Sequence, residues 1–141
     1  SLSILADGGV HAPKTVSSGA ITLDGFFNTV HMGLGYNQNI QPVPMESVET
    51  AGLTKNIEKC SIKVYKTQEG IQLGPDEDTL KNVIFRLTKD PMSQAPTPFT
   101  GMFTQSIDGK TDKLVTLYLR NPNPTPMTVL GIRSTVKVND I

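Results

Sequence analysis

The chain has 141 residues, of which 37% are hydrophobic and 18% charged, a composition that predicts one soluble domain with its own core. Its 13 basic and 13 acidic residues balance to zero net charge, which argues against a basic nucleic-acid-binding protein or an acidic tail. One cysteine excludes an internal disulfide and a thiolate metal cluster. We expect no transmembrane span, because no apolar run approaches the ~20 residues required, and no signal peptide.

Short runs of β-forming residues follow one another along the chain, separated by 12 glycines and 10 prolines. We predict strands at residues 19–23, 29–36, 57–66, 82–88, 101–107, 113–120 and 128–138, with one or two short edge strands in residues 1–15. Residues 46–59 come closest to a helical pattern, but Gly52 interrupts them, so one helical turn is the most we expect. The spacing predicts an all-β protein: an antiparallel β-sandwich or barrel of seven or eight short strands with long proline-rich loops.

Alternation of apolar and polar residues assigns an inward face to four of these strands. A period of two with one polar face is typical of antiparallel sheets. The predicted inward residues are Val30, Met32, Leu34 and Tyr36; Cys60, Ile62 and Val64; Val83, Phe85 and Leu87; and Leu130, Ile132, Val136 and Val138.

Turns and stiff connections are predicted from glycine and proline. Asp108-Gly109 can supply the positive φ values of a tight turn, so we predict a hairpin between residues 101–107 and 113–120. Residues 88–99 contain three prolines and read as an extended connection. In residues 121–127, alternate prolines fix φ and remove backbone donors, which keeps this segment out of a sheet centre. It is either an ordinary stiff loop or part of a surface packed against neighbouring subunits.

Few residues could carry chemistry. His31 lies opposite the predicted apolar face of its strand, which favours solvent or a partner over catalysis or metal binding, and we assign neither role to His11. The acidic run Asp76-Glu77-Asp78 could begin a calcium loop, but the glycine and glutamate that such a loop needs are missing, so a solvated turn is expected. Cys60 sits in an alternating strand and is expected to be a small buried hydrophobe.

Nucleotide and phosphate chemistry is equally poorly supported. Gly33-Leu34-Gly35 lacks the third glycine and the following helix of a phosphate-binding loop. Lysines are interspersed with acidic residues and predict a solvated surface rather than a phosphate track; they are Lys55, Lys59, Lys63, Lys66, Lys81, Lys89, Lys110, Lys113 and Lys137. We therefore predict no catalytic, cofactor-binding or metal-binding residue and no enzymatic activity.

Several weak motifs in a fixed order resemble one protein family. The order is LADGG, GAITLDGFFNTVHMGLGY, PVPMES, IEKCSIKVYKTQEGIQLG, PFTGMFTQSIDG and LVTLYLRNPNPTPMTVLGIRSTVKV. It resembles the C-terminal part of the tail nozzle proteins of short-tailed bacteriophages, also called tail tubular protein B or tail stabilisation hub proteins. The similarity covers about residues 4–138, and its most telling parts are residues 30–36, 98–101 and 124–130.

Two departures from the family pattern stand out. Gly33-Leu34-Gly35-Tyr36 occupies a place where family members often have Gly-Leu-Pro-Tyr. Thr54-Lys55-Asn56 stands where they often carry a basic cluster, which weakens any inherited contact with DNA. Nozzle proteins are also much longer, so the resemblance implies that residues 1–141 are a single β domain within a longer tail protein.

The resemblance implies a structural virion protein in the phage tail. Such a subunit sits in a six-fold ring below the portal and adaptor and forms the lower channel for genome ejection. Its partners would be copies of itself, the adaptor and fibres, with DNA passing without specific contacts and no membrane insertion or cofactor.

Two rival functions remain open. One is a β-sandwich binding module that recognises a host glycan or a tail fibre, which exposed aromatic residues such as Tyr36, Tyr65 and Tyr118 would favour. The other is a metal-dependent enzyme that uses His11, His31 and the acids at 76–78.

Overall fold

The computed structural model describes residues 1–85 and 88–139, which form ten strands and no helix. The strands are β1 (Leu2–Ala6), β2 (Gly9–Lys14), β3 (Val30–Gly33), β4 (Gln38–Ile40), β5 (Thr54–Thr67), β6 (Gln72–Gly74), β7 (Lys81–Asn82), β8 (Phe99–Ser106), β9 (Tyr118–Asn121) and β10 (Val129–Asn139). All neighbouring strands pair antiparallel, in three sheets ordered β2-β1-β3, β10-β5-β8 and β4-β9-β6-β7.

Two of these sheets pack face to face and confirm the predicted all-β, sandwich-like fold. The inward residues of β5, including Cys60, Ile62 and Val64, share one buried cluster with Leu73 of β6 and Leu119 of β9. Burying each Val, Leu or Ile side chain stabilises the fold by about 1.5–3 kcal/mol. The barrel alternative is not realised, because the sheets are separate and none closes on itself within the described residues.

Strand β5 organises its sheet because it is long and lies between β8 and β10. Ile62 pairs with Ile132 on one side and Phe103 on the other, and this row faces the core. The predicted strands at 57–66, 101–107 and 128–138 are thus confirmed within one to three residues at each end. The predicted alternation of β10 is interrupted at Leu130, which is exposed where the register with β5 shifts.

The N-terminal residues form the third sheet, with β1 in the centre. This confirms the short strands predicted in residues 1–15, but β1 is the central strand of its sheet and not an edge strand as predicted. Among its apolar residues, Ile4 and Ala6 are fully or almost fully buried. The amide of Gln68 links this sheet to the sandwich, because its Nε2 donates to Gly8 O at 2.6 Å and to Pro96 O at 3.0 Å.

Four of the predicted strands are wrong in part or whole; one is that at 113–120, of which only residues 118–120 lie in a strand, β9. The predicted strand at 19–23 is instead a tight turn closed by a bridge between Ser17 and Ala20. The predicted strand at 29–36 ends at Gly33. Of the predicted strand at 82–88, only Asn82 lies in a strand, β7, although Val83 N donates to Ile71 O at 2.8 Å; Arg86 and Leu87 lie outside the described residues.

The predicted hairpin at Asp108-Gly109 is wrong, because β8 and β9 belong to different sheets. Instead the segment crosses the end of β5, where Lys55 and Asp112 exchange both backbone hydrogen bonds. A Cβ on Gly109 would lie 2.6 Å from Ile57 O, so the glycine permits close approach to β5 rather than a turn. Likewise, residues 48–52 form a turn and no helix.

Candidate functional site

An open groove of about 350 Å³ lies between the N-terminal sheet and the proline-rich loop. One wall is formed by Ser3 and Leu5 of β1 together with residues 31–36, and the other by residues 123–126. Gln38, at the start of β4, completes the lining. We call this feature the β3 groove.

The wall contributed by residues 31–36 is strongly apolar and open to solvent. Met32 is 52% exposed, Leu34 84% and Tyr36 74%, so the prediction that these residues face the core is wrong. The physical reason is that β3 is an edge strand ending at Gly33, and the chain beyond it leaves the sheet. Contiguous exposed apolar residues beside polar ones are a common feature of interaction surfaces.

The opposite wall is held firmly by buried hydrogen bonds. Asn121 Nδ2 donates to Thr125 O at 2.9 Å, and Asn121 Oδ1 accepts from Asn123 N at 3.1 Å. Both Asn121 and Thr125 are buried. The loop therefore has a fixed shape set by its own side chains in addition to its prolines.

The end of β5 and the residues after it clamp the same loop. Gln68 N donates to Pro126 O at 3.2 Å, and Thr128 N donates to Thr67 Oγ1 at 3.1 Å. Gly70 lies so close to this loop that a Cβ added to it would be 2.5 Å from Asn123 Nδ2. Residues 122–127 form no strand, which agrees with the prediction that the proline segment lies outside a sheet centre; the strand predicted from residue 128 begins at Val129.

The groove also holds an acceptor without a donor. Gln38 Oε1 is buried and has no hydrogen-bond partner among the residues that the structure describes. Such an atom costs about 1–3 kcal/mol unless it is satisfied.

The two histidines do not form a site together. His11 pairs with Ile4 and His31 with Leu5, so their side chains point to opposite faces of the N-terminal sheet. His31 is exposed and lines the β3 groove, as its predicted orientation toward solvent or a partner requires.

His11 instead fastens the loop that follows β2. Its Nδ1 donates to Ala12 O at 2.8 Å, and its Nε2 accepts from Asp24 N at 3.3 Å. Lys14 also pairs with Asp24, and this hydrogen bond holds the pKa of the Asp24 carboxyl below its ordinary value. These contacts have a structural role.

The acidic run at 76–78 closes a turn, as predicted. Asp76 Oδ1 accepts from Asp78 N at 3.1 Å, Thr79 N at 3.0 Å and the Thr79 hydroxyl at 2.7 Å, and this last bond lowers the Asp76 pKa most. Glu77 pairs with Arg120. Within residues 1–85 and 88–139, no three His, Cys, Asp or Glu side chains are placed to hold a metal ion.

Two further side chains that could carry chemistry, those of Cys60 and Lys55, are buried. Cys60 is fully buried as predicted, and burial raises the pKa of its thiol, which keeps it protonated and unreactive at neutral pH. Lys55 is only 1% exposed, so the prediction of a solvated lysine is wrong there. Its Nζ donates to Lys113 O at 2.8 Å and lies 3.8 Å from Glu46 Oε1. Sequence reasoning missed this position, although its alternation with Ile57 was a usable signal.

No helix in the described ranges is long and apolar enough to cross a membrane. No protein-family model matches the chain, and a search of curated proteins finds no match.

Proposed function

We propose that this chain is a structural protein of a phage virion, one region of the nozzle that forms the lower tail channel for genome ejection. The observation that carries the proposal is the convergence of two segments that bear the family resemblance. Residues 31–36 and 124–126 lie far apart in the sequence, yet they line the same groove, the β3 groove. A surface built from these segments is suited to contact with a neighbouring subunit.

Free strand edges support the same proposal. Within the described residues, β3, β8 and β10 each have one unpaired edge, and β10 extends over 11 residues. An unpaired edge can add a strand from another chain, which satisfies its backbone groups. A closed ring needs two different complementary faces on each subunit, and the β3 groove and the β10 edge are separate candidates for them.

In this proposal the protein performs mechanical work and no catalysis. Its partners are copies of itself in a six-fold ring, the adaptor and the fibres, and its location is the tail of the virion. The domain is one region of a longer nozzle protein, whose other parts help to organise the ring.

Immunogold electron microscopy of purified phage particles, with antibodies raised against this chain, tests the proposal. We expect label at the tail below the portal vertex, in the same particles that contain the chain by mass spectrometry. Particles that lack the chain, or label confined to unassembled material, would contradict it. Mass measurement in solution then shows whether the chain alone forms a ring.

The β3 groove also favours a second function, a binding module for a host glycan. Tyr36 is exposed in a groove that Gln38 and Asn123 also line, and an aromatic ring near amide side chains is a suitable surface for a sugar. A glycan array distinguishes this function. It requires a defined sugar to bind and Tyr36→Ala to abolish that binding, while an array without signal excludes it for the glycans present.

A further inference from the structure

The outer face of the sheet β10-β5-β8 is built from three paired strands. Residues directly opposite each other in antiparallel strands point to the same side. Ser61 lies between Arg133 and Thr104, and Ser61 Oγ is 2.7 Å from Thr104 Oγ1 on the side away from the core. Because Ser61 points away from the core, the residues two positions before and after it on β5 also point away from the core.

Four cations occupy outward positions on this surface, which we call the β5 outer face. Lys59 pairs with Thr135 and Ser106, and Lys63 pairs with Gly131 and Met102. The other two cations are Arg133 and Lys137, both on β10. All four side chains belong to exposed residues.

Among the described residues, one carboxylate forms an ion pair with these cations. Glu58, at the register shift of β5, lies 3.9 Å from Lys137 Nζ. Among the residues that the structure describes, Lys59, Lys63 and Arg133 form no ion pair. Because the whole chain is neutral, the fold has concentrated positive charge on this face and left the compensating acids elsewhere.

The spacing suits a polyanion with closely spaced charges. Lys59 and Lys63 are four residues apart on one strand, which corresponds to about 13 Å at ~3.3 Å per residue. A DNA duplex carries one phosphate charge per ~1.7 Å of axis, so a line of this length meets several phosphates. The hydroxyls of Ser61, Thr104 and Thr135 lie between the cations and are further donors to phosphate oxygens.

We propose that the β5 outer face contacts the phosphates of double-stranded DNA electrostatically and without reading bases. Three strands paired side by side present neither a helix nor a two-stranded ribbon, which are the elements that enter the major groove. The choice of duplex DNA over other polyanions rests on the proposed function, in which the genome passes through the channel, and the present proposal assigns the β5 outer face to the channel wall. The sequence predicted scattered lysines. The pairing of β5 with β10 instead brings Arg133 beside Lys59 and Lys63.

Fluorescence anisotropy with a labelled duplex of random sequence, over a salt series, tests this proposal. For three to four phosphate contacts, log K against log salt has an expected slope of about −3. We expect the triple variant Lys59→Gln, Lys63→Gln, Arg133→Gln to reduce the slope to about −1 and to lose most of the low-salt affinity.

The matched control removes the same charge elsewhere. Lys89, Lys110 and Lys113 are exposed and lie on connections outside the three strands. The triple variant Lys89→Gln, Lys110→Gln, Lys113→Gln should keep the original slope. Thermal unfolding by circular dichroism should give the same midpoint for both variants and the original chain.

Three results would overturn the proposal: no binding by the original chain at low salt, equal loss in both triple variants, or binding of heparin without binding of duplex DNA. Any of them leaves the tail location of the protein to be decided by immunogold labelling. Conversely, DNA binding through this face by a chain absent from virions would refute the proposed function alone.

Discussion

The sandwich and the N-terminal sheet use the same alternating pattern with opposite results. In β5, the apolar residues at alternate positions, such as Ile62 and Val64, are fully buried. In residues 30–36, an equally regular alternation leaves Leu34 and Tyr36 largely exposed. The difference is that β5 has the sheet β4-β9-β6-β7 packed against its inner face, whereas residues 34–36 have left their sheet.

This comparison shows that alternation predicts which residues share a face and does not predict whether that face is covered. Coverage depends on a second layer, which must come from elsewhere in the chain or from another chain. An exposed apolar strand end beside a rigid loop is therefore a surface available to a partner, and the β3 groove has this character.

Truncating one apolar residue in each region should give the largest difference in the free energy of unfolding. Ile62→Ala should lower the free energy of unfolding by about 2–5 kcal/mol, since it leaves a cavity in the sandwich core. Leu34→Ala should change it by less than about 0.5 kcal/mol, because the side chain is already in solvent. Urea titration measures both. Similar losses in the two variants would show that Leu34 is packed in solution.

Gly70→Ala tests how tightly the groove wall is clamped. Gly70 has φ +101°, a conformation that side chains rarely adopt, and its Cβ would meet Asn123. We expect a loss of about 1–3 kcal/mol in urea titration. Gly52→Ala is the control, since Gly52 has φ +76° but nothing within 4 Å of its Cβ. Equal losses would mean that the approach to Asn123 contributes nothing.

Gln68→Ala tests the link between the two regions. Removing the amide leaves Gly8 O and Pro96 O without this donor and should cost about 1–3 kcal/mol. Hydrogen exchange should accelerate in β1–β3 more than in β5. Uniform acceleration of exchange in both sheets would indicate that they unfold as one unit and that the two regions are not independently stable.

Acid pH gives the smallest effect. The pKa values of Asp24 and Asp76 are lowered from 3.8, chiefly by hydrogen bonds from Lys14 and from the Thr79 hydroxyl. A lowered pKa in the folded state stabilises the protein above the unfolded value, and this stabilisation is lost as pH falls from about 4 through the lowered values. Asp24→Asn and Asp76→Asn should each flatten the decline of the unfolding midpoint below pH 4. An unchanged pH profile in both variants would exclude these carboxylates as its cause.

Much of the fold was predictable because its signals are local. The long strands β5, β8 and β10 follow from a period of two over several residues, and the exclusion of the segment with Pro122, Pro124 and Pro126 from a sheet centre follows from proline chemistry. Burial of Cys60 and the closed turn at Asp76 follow from their immediate neighbours. The short strands β4 and β6 were missed, because three residues such as Gln72–Gly74 carry no measurable period.

The β class, the alternation of the long strands and the stiffness of the proline segment follow from the sequence alone. Each of these features depends on neighbouring residues. Only the tertiary structure decided that β8 and β9 separate into different sheets, that Tyr36 faces solvent, and that Arg133 joins Lys59 and Lys63 on one face. These outcomes depend on pairing between distant segments, which fixes coverage and charge after the local pattern has been satisfied.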